Sequence, residues 1–371
     1  MQASNEGNRT IICKWILVLL IIFSGITAQW NSMELFQTGE IAERMKFLQR
    51  FSGIAADGNL LNLLFVVMGI EVSDRIVQKK KLKNAALDLL GSWWPLTAFT
   101  IVIGIFLGLM GCMKLTIADD ILGFFFLNNV GLTISPNANS LLWFTASAVL
   151  ASFAAAVLNL NVPEKKCWLL GLAGVIAGYI ALVQTGKGAI SGTYQNIGVI
   201  FNLGWLRAFC GIETGVLLTW LKEKLLNRNF HKSYRKQIIV IVAALGIYML
   251  LEAVGRVRGI ANEMAVILLW VVLLEGVLLL DAGKNAKREM SRIADVILVF
   301  HPLVLGVYKT WIWTYRYNFV LRHPRLNLFV LCALILICGV TVFYLMVHPA
   351  EKYMESYIEE EQKKGECYDT I

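Results

Sequence analysis

From Leu328 to Val342 the chain carries no charge and a single hydroxyl, and Trp15–Phe23 is just as unbroken. Runs of this kind recur from the first residues to the last third of the chain. In lipid, every backbone N–H and C=O must find its partner inside the protein, so only helices and closed barrels cross. A transmembrane barrel needs residues that alternate between lipid-facing and lumen-facing. Neither run alternates. The expected fold is therefore all-α, a polytopic transmembrane helix bundle. Composition agrees, since 57% of the residues are hydrophobic and 16% charged, against about half and about a quarter in soluble domains.

At about 20 apolar residues per crossing, the sequence predicts ten spans. They lie near 11–28, 58–72, 88–111, 141–158, 168–184, 197–220, 238–254, 264–281, 293–312 and 326–347. An eleventh apolar segment, 119–134, opens with Asp119 and Asp120 and carries Asn128, Asn129 and Gly131. It is expected to be re-entrant or interfacial, and the count becomes eleven if it crosses. Thr27 and Ala28 make a poor cleavage site, and the apolar run already begins at Ile11. The first helix is thus expected to be retained rather than removed as a signal peptide.

Charge placement sets the orientation. With the N-terminus cytoplasmic and ten crossings, the inner loops hold 17 Lys and Arg and the longer outer loops 11. Eleven crossings would turn the basic loop Lys222–Lys236 outward, against the positive-inside tendency. Both termini are therefore expected in the cytoplasm of a multi-pass cell-membrane protein. The net charge of +8 reads as topology information and not as a nucleic-acid footprint. Lys309–Arg325 is the exception, a basic stretch on the outer side. Residues 29–57 are patterned as an amphipathic interfacial helix. Residues 1–348 read as one domain, and 349–371 as a short, charged, solvated cytoplasmic tail. Seven cysteines without a CxxC pair suggest neither a disulfide framework nor a metal site.

Ionisable residues inside spans are functional candidates by default. Asn202, Arg207 and Glu213 share the span 197–220. Arg207 and Glu213 are six residues apart, so they face different partners. His301 precedes Pro302 on the span 293–312, and an imidazole there can bind a substrate or move a proton. Glu71 closes the second span. For each of these, a structural ion pair or an interhelical hydrogen bond is the plainer alternative. Glu252 and Glu275 read as interfacial, and His231, His323 and His348 as loop residues.

Several stretches together resemble the acyltransferase-3 family of integral membrane acyltransferases. Leu63-Leu-Phe-Val-Val-Met-Gly-Ile-Glu71 is similar to the family's FFVLSGFLI helix. The basic stretch of Arg75, Lys79, Lys80, Lys81 and Lys83 follows it, and then Trp93-Trp-Pro95. Ser140–Ser147 resembles LWFLSAL, Gly204–Gly211 resembles RALPFFLLG, and Ala294–Leu303 resembles SYSIYLLHP. The order matches the family's over most of residues 60–312. Family members carry a basic residue and, about ten residues on, a catalytic histidine in the first helix. Here Arg9–Trp30 contains no histidine, and the arginines before the third-helix proline are also missing.

The resemblance implies transfer of an acyl group from a cytoplasmic thioester such as acetyl-CoA, bound only as a substrate, to a hydroxyl of an envelope glycan. The expected catalytic candidates are His301, Glu71 and Glu213. The expected donor- or substrate-binding residues are Arg207, Asn202 and Trp143, and no metal is implied. Two other classes are weighed. A catalytically silent relative, acting as sensor or partner subunit, would account for the missing histidine. A transporter or flippase is suggested only by Arg207, Glu213 and His301, and the chain lacks the internal repeat common in that class.

Overall fold

A computed structural model describes residues 7–31, 59–78, 82–112, 117–127, 142–185, 196–197, 201–226, 286–313 and 323–368. Most of the interfacial segment 29–57, the second half of 119–134 and the spans 238–254 and 264–281 lie outside these residues.

Almost everything described is helical. The helices are α1 (Gly7–Asn31), α2 (Asn59–Gln78), α3 (Leu82–Leu109), α4 (Ile117–Phe124), α5 (Leu142–Asn161) and α6 (Glu164–Thr185). A two-residue hairpin, β1 (Asn196–Ile197) with β2 (Phe201–Asn202), leads into α7 (Leu203–Leu226). Then come α8 (Ala286–Val307), α9 (Pro324–Val342) and α10 (His348–Tyr368). Single π-helical turns follow α8 at Tyr308–Trp313 and join α9 to α10 at Phe343–Val347. Pro324 opens α9, where its missing N–H has no intrahelical partner to lose.

Among the described residues, four helices are long and apolar enough to cross a membrane: Leu82–Leu109, Leu142–Asn161, Glu289–Thr310 and Leu326–Ile358. Shorter apolar stretches run over Lys14–Phe23, Leu60–Ser73 and Lys166–Leu182. The segment 119–134 starts as α4, about 12 Å long at 1.5 Å per residue, well short of a bilayer core. The helix stops at Phe124, and Phe126 in the turn beyond it has a φ of 59°.

Without a hydrophobic drive between helices in lipid, small residues decide where backbones meet. Gly69 of α2 lies against the Ile212 carbonyl of α7, and Gly215 of α7 against the Val66 carbonyl of α2. Gly211 packs on Phe65. The two helices therefore run parallel in backbone contact, and α7 also packs on α5 and α6. Beside this crossing Phe65 stacks on Phe144 at 4.9 Å, with Trp143 and Trp93 set edge-on around them. On the other side of α2, α1 packs against α8, and α8 against α9. Gly215→Leu is expected to abolish the monodisperse peak on size-exclusion chromatography in detergent, since no side chain fits between two backbones. Ala173→Leu, at an exposed position of α6, should leave it intact.

The C-terminal segment corrects one expectation. Residues 348–368 are not a solvated extension from the start: α10 runs on from α9 and packs along α3. Ile358 and Met354 cover Gly91, and Glu351 is buried.

Candidate functional site

Charged side chains converge at the end of the bundle where α1 and α8 begin, α2 ends and α9 passes into α10. Lys14 of α1 is 1% exposed. Its Nζ lies 2.9 Å from Glu71 Oε2, 2.8 Å from Asp295 Oδ1 and 2.7 Å from Ser291 Oγ, the last two on α8. Ser291 donates to the other Glu71 oxygen at 2.6 Å. An ammonium has three N–H donors and no acceptor capacity. Two of them go to Glu71 and Ser291 as hydrogen bonds, and Asp295 Oδ1 adds an ion pair.

One turn along α8, Arg292 continues the network. Its Nη1 donates to Asp295 Oδ2 at 2.9 Å and its Nε to Glu351 Oε1 at 2.9 Å. Its Nη2 reaches Glu351 and the Ser92 carbonyl. The guanidinium also lies over the Trp93 ring, 5.0 Å from its centroid. Asp295, 2% exposed, is thus shared by both cations. The cluster joins α1, α2, α3, α8 and α10, and sets two cations against three carboxylates. A carboxylate-rich cluster of this kind is ill-suited to hold phosphate.

Deeper in the bundle stands His301, also buried. Pro302 has no N–H, so the Leu298 carbonyl four residues back loses its intrahelical donor. His301 takes that place, with Nδ1 2.6 Å from the Leu298 oxygen. A carbonyl oxygen only accepts, so Nδ1 bears the hydrogen, and in the neutral ring Nε2 keeps its lone pair. That Nε2 faces α1, where a Cβ added to Gly25 would sit 3.5 Å away.

The remaining candidates are dispersed. Arg207, 1% exposed, donates from Nε to Asn62 Oδ1 of α2 near the opposite end of the bundle. Because Nε–H must donate, the Asn62 oxygen faces it, leaving Nδ2 buried without an acceptor among the described residues. Glu213 faces α6 at Gly171, and both its oxygens are buried without a donor among the described residues. Arg207 and Glu213 therefore do address different helices. Asn202 caps α7, its Oδ1 accepting the Trp205 N–H at 3.1 Å, which is an N-cap role. Trp143 belongs to the aromatic core. His323 is exposed, and His348 lies 4.0 Å from Glu289 at the surface. Glu252, Glu275 and His231 are outside the described residues. The candidates thus fall into separate places: Glu71 in the charged cluster, His301 against α1, Arg207 against α2 and Glu213 against α6.

Lys14, Asp295, Arg292 and Glu351 were not among the sequence candidates. Asp295, a carboxylate within an apolar span, was the available signal. Comparison with protein-family models, with curated proteins and with solved structures gives no match for this chain.

Arg207→Lys keeps the charge but removes the planar fork that meets Asn62. It is expected to impair function while protein levels in the membrane stay near normal. Equal loss of both would make the pair purely structural.

Proposed function

We propose that this chain is an integral membrane acyltransferase of the acyltransferase-3 type. It moves an acyl group from a cytoplasmic CoA thioester to a hydroxyl of an envelope glycan. One observation carries the reading. His301 brings its Nε2 to Gly25, 3.5 Å from where a Cβ would sit, eleven residues beyond Lys14 on α1. That is the position at which the family's first-helix histidine would follow a basic residue. A base delivered from α8 stands where one from α1 is missing.

In this reading Nε2 takes the proton of the acceptor hydroxyl as its oxygen attacks the thioester carbonyl. The C–S bond breaks as the C–O bond holds, and the thiolate leaves with the proton returned by the imidazolium. The Leu298 carbonyl keeps the ring in the required tautomer. Arg207 serves the acceptor side, being at the far end from the charged cluster. Glu71 has a place in the cluster and Glu213 none in the reaction.

The proposed topology has ten crossings with both termini cytoplasmic. The ion pairs support the even count of crossings. Lys14 opens the first span, Glu71 closes the second, Arg292 precedes the ninth and Glu351 follows the tenth. These side chains touch, so they share one depth. That requires an even number of crossings between Glu71 and Arg292, as ten spans provide and an added crossing by 119–134 does not. Cysteines placed in 73–87 and 221–237 are expected to resist an impermeant maleimide on intact cells and to label after permeabilisation. Ready labelling from outside would reverse the orientation.

The deciding assay is transfer of labelled acetyl groups from acetyl-CoA to envelope material, in membranes with and without the protein. Gly25 in place of the histidine favours a second reading, the silent relative. That reading expects no transfer under conditions where a relative with the histidine is active.

A further inference from the structure

Helices α1 and α8 run parallel and touch at two levels. At one, Lys14 meets Ser291 and Asp295. At the other, Gly25 meets His301. The levels are spaced alike on both helices: eleven residues on α1, about 16 Å at 1.5 Å per residue, and six to ten on α8, about 9–15 Å. The upper contact is apolar on the α1 side and holds nothing by itself, because Gly25 has no side chain. Ridges of apolar residues can repack one turn along with similar burial, as packed helices do in one-turn shifts. The lower contact admits no such freedom. A slide by one turn, about 5.4 Å, would strand an ammonium and a carboxylate in the bundle interior, where unpaired charge is strongly disfavoured.

Asp295 is the centre of this lock. Its Oδ1 takes Lys14 at 2.8 Å and its Oδ2 takes Arg292 Nη1 at 2.9 Å. Arg292 in turn is held by Glu351 of α10 and by the Ser92 carbonyl of α3. The α8 face that carries Asp295 is thereby tied to α1 on one side and to α3 and α10 on the other.

We infer that Asp295 is a positioning residue, which fixes the register of α1 against α8 and so seats His301 Nε2 over Gly25. It touches no reacting group, being six residues, about 9 Å, from His301. Glu71 is a weaker tie, because it belongs to α2 and reaches α8 through the Ser291 hydroxyl, whereas Asp295 meets Lys14 directly from α8. The inference gives the network a purpose within the acyl-transfer reading and rests on that reading for its functional meaning. The register itself can be read without any activity.

Gly25→Cys places a thiol beside Nε2, and a thiolate with an imidazole makes a two-ligand site for Cd2+. The probe is therefore Cd2+ protection of the introduced thiol from maleimide in the full-length protein, followed by mass spectrometry of the α1 peptide. Cd2+ is expected to slow modification about tenfold in Gly25→Cys and not at all in Gly25→Cys/His301→Ala. Adding Asp295→Asn should abolish the protection while the protein remains monodisperse, and Asp295→Glu should restore part of it. Should Asp295→Asn fail to fold, Lys14→Gln removes the α1 partner of Asp295 while Arg292 keeps the carboxylate paired, and should likewise abolish protection. Full protection in Asp295→Asn, or in Lys14→Gln when the first variant does not fold, overturns the inference. So does absence of protection in Gly25→Cys alone. Intact protection behaviour with no acetyl transfer by the parent protein would retain the register lock and remove the acyl-transfer reading.

Discussion

Arg292→Met is expected to be among the most destabilising single substitutions in the described part of the chain. Removing one partner from a buried ion network costs about 3–5 kcal/mol, because the charges left behind lose their compensation without regaining water. Here two carboxylates, Asp295 and Glu351, and the Ser92 carbonyl lose a donor at once. The Trp93 face loses its cation as well. Arg292→Lys should recover only part, since an ammonium cannot span Glu351, Asp295 and Ser92 with one planar fork. The test is thermal unfolding in detergent followed by tryptophan fluorescence. Combining Arg292→Met with Asp295→Asn and Glu351→Gln should regain stability relative to Arg292→Met alone, because fewer unpaired charges remain. Glu289→Gln, half exposed beside His348, should change little. A melting temperature for Arg292→Met equal to that of the parent would mean the network carries no net stability.

The helical class was legible because a lack of alternation in long apolar runs leaves one backbone solution in lipid. Element ends were less so. The boundary at 348 was drawn where hydropathy drops, yet α10 continues the helix, because Glu351 finds Arg292 and Ile358 finds Gly91. Hydropathy scores a side chain alone, and these two positions are decided by partners far away in sequence. The same blindness hid Lys14, which reads locally as a flank of the first apolar run. Its partners Glu71 and Ser291 are 57 and 277 residues distant, and Asp295 lies one helical turn beyond Ser291. Gly211 and Gly215, four apart on one face, were a usable signal for a close helix crossing. The spacing of Arg207 and Glu213 correctly implied two different faces, but not which helices meet them. His301 and Pro302 were visible as a pair, and their physics follows from the proline alone: the freed Leu298 carbonyl needs a donor.

The proposed role of His301 as base, beside its bond to Leu298, makes its replacement informative. His301→Ala removes the proposed base and leaves the Leu298 carbonyl without its donor. General base catalysis typically contributes about 10²- to 10⁴-fold, so acetyl transfer should fall by that much. The orphaned carbonyl should also cost about 1–3 kcal/mol of stability. His301→Asn separates the two effects. Its amide N–H₂ can reach the position of Nδ1 and serve Leu298, but it has no basic lone pair to offer at Gly25. Stability should therefore stay close to the parent while transfer falls as far as in His301→Ala. His301→Gln should also be inactive, with stability between the two. Glu71→Gln and Glu213→Gln should each lower transfer less than any His301 variant, once activity is scaled to folded protein. The measurement is initial rate of label transfer per unit of monodisperse protein, alongside thermal unfolding of each variant. Full activity in His301→Ala and His301→Gln would remove His301 as the base. A fall that tracks unfolding in all three variants would leave the histidine only its helix-repair task at Pro302.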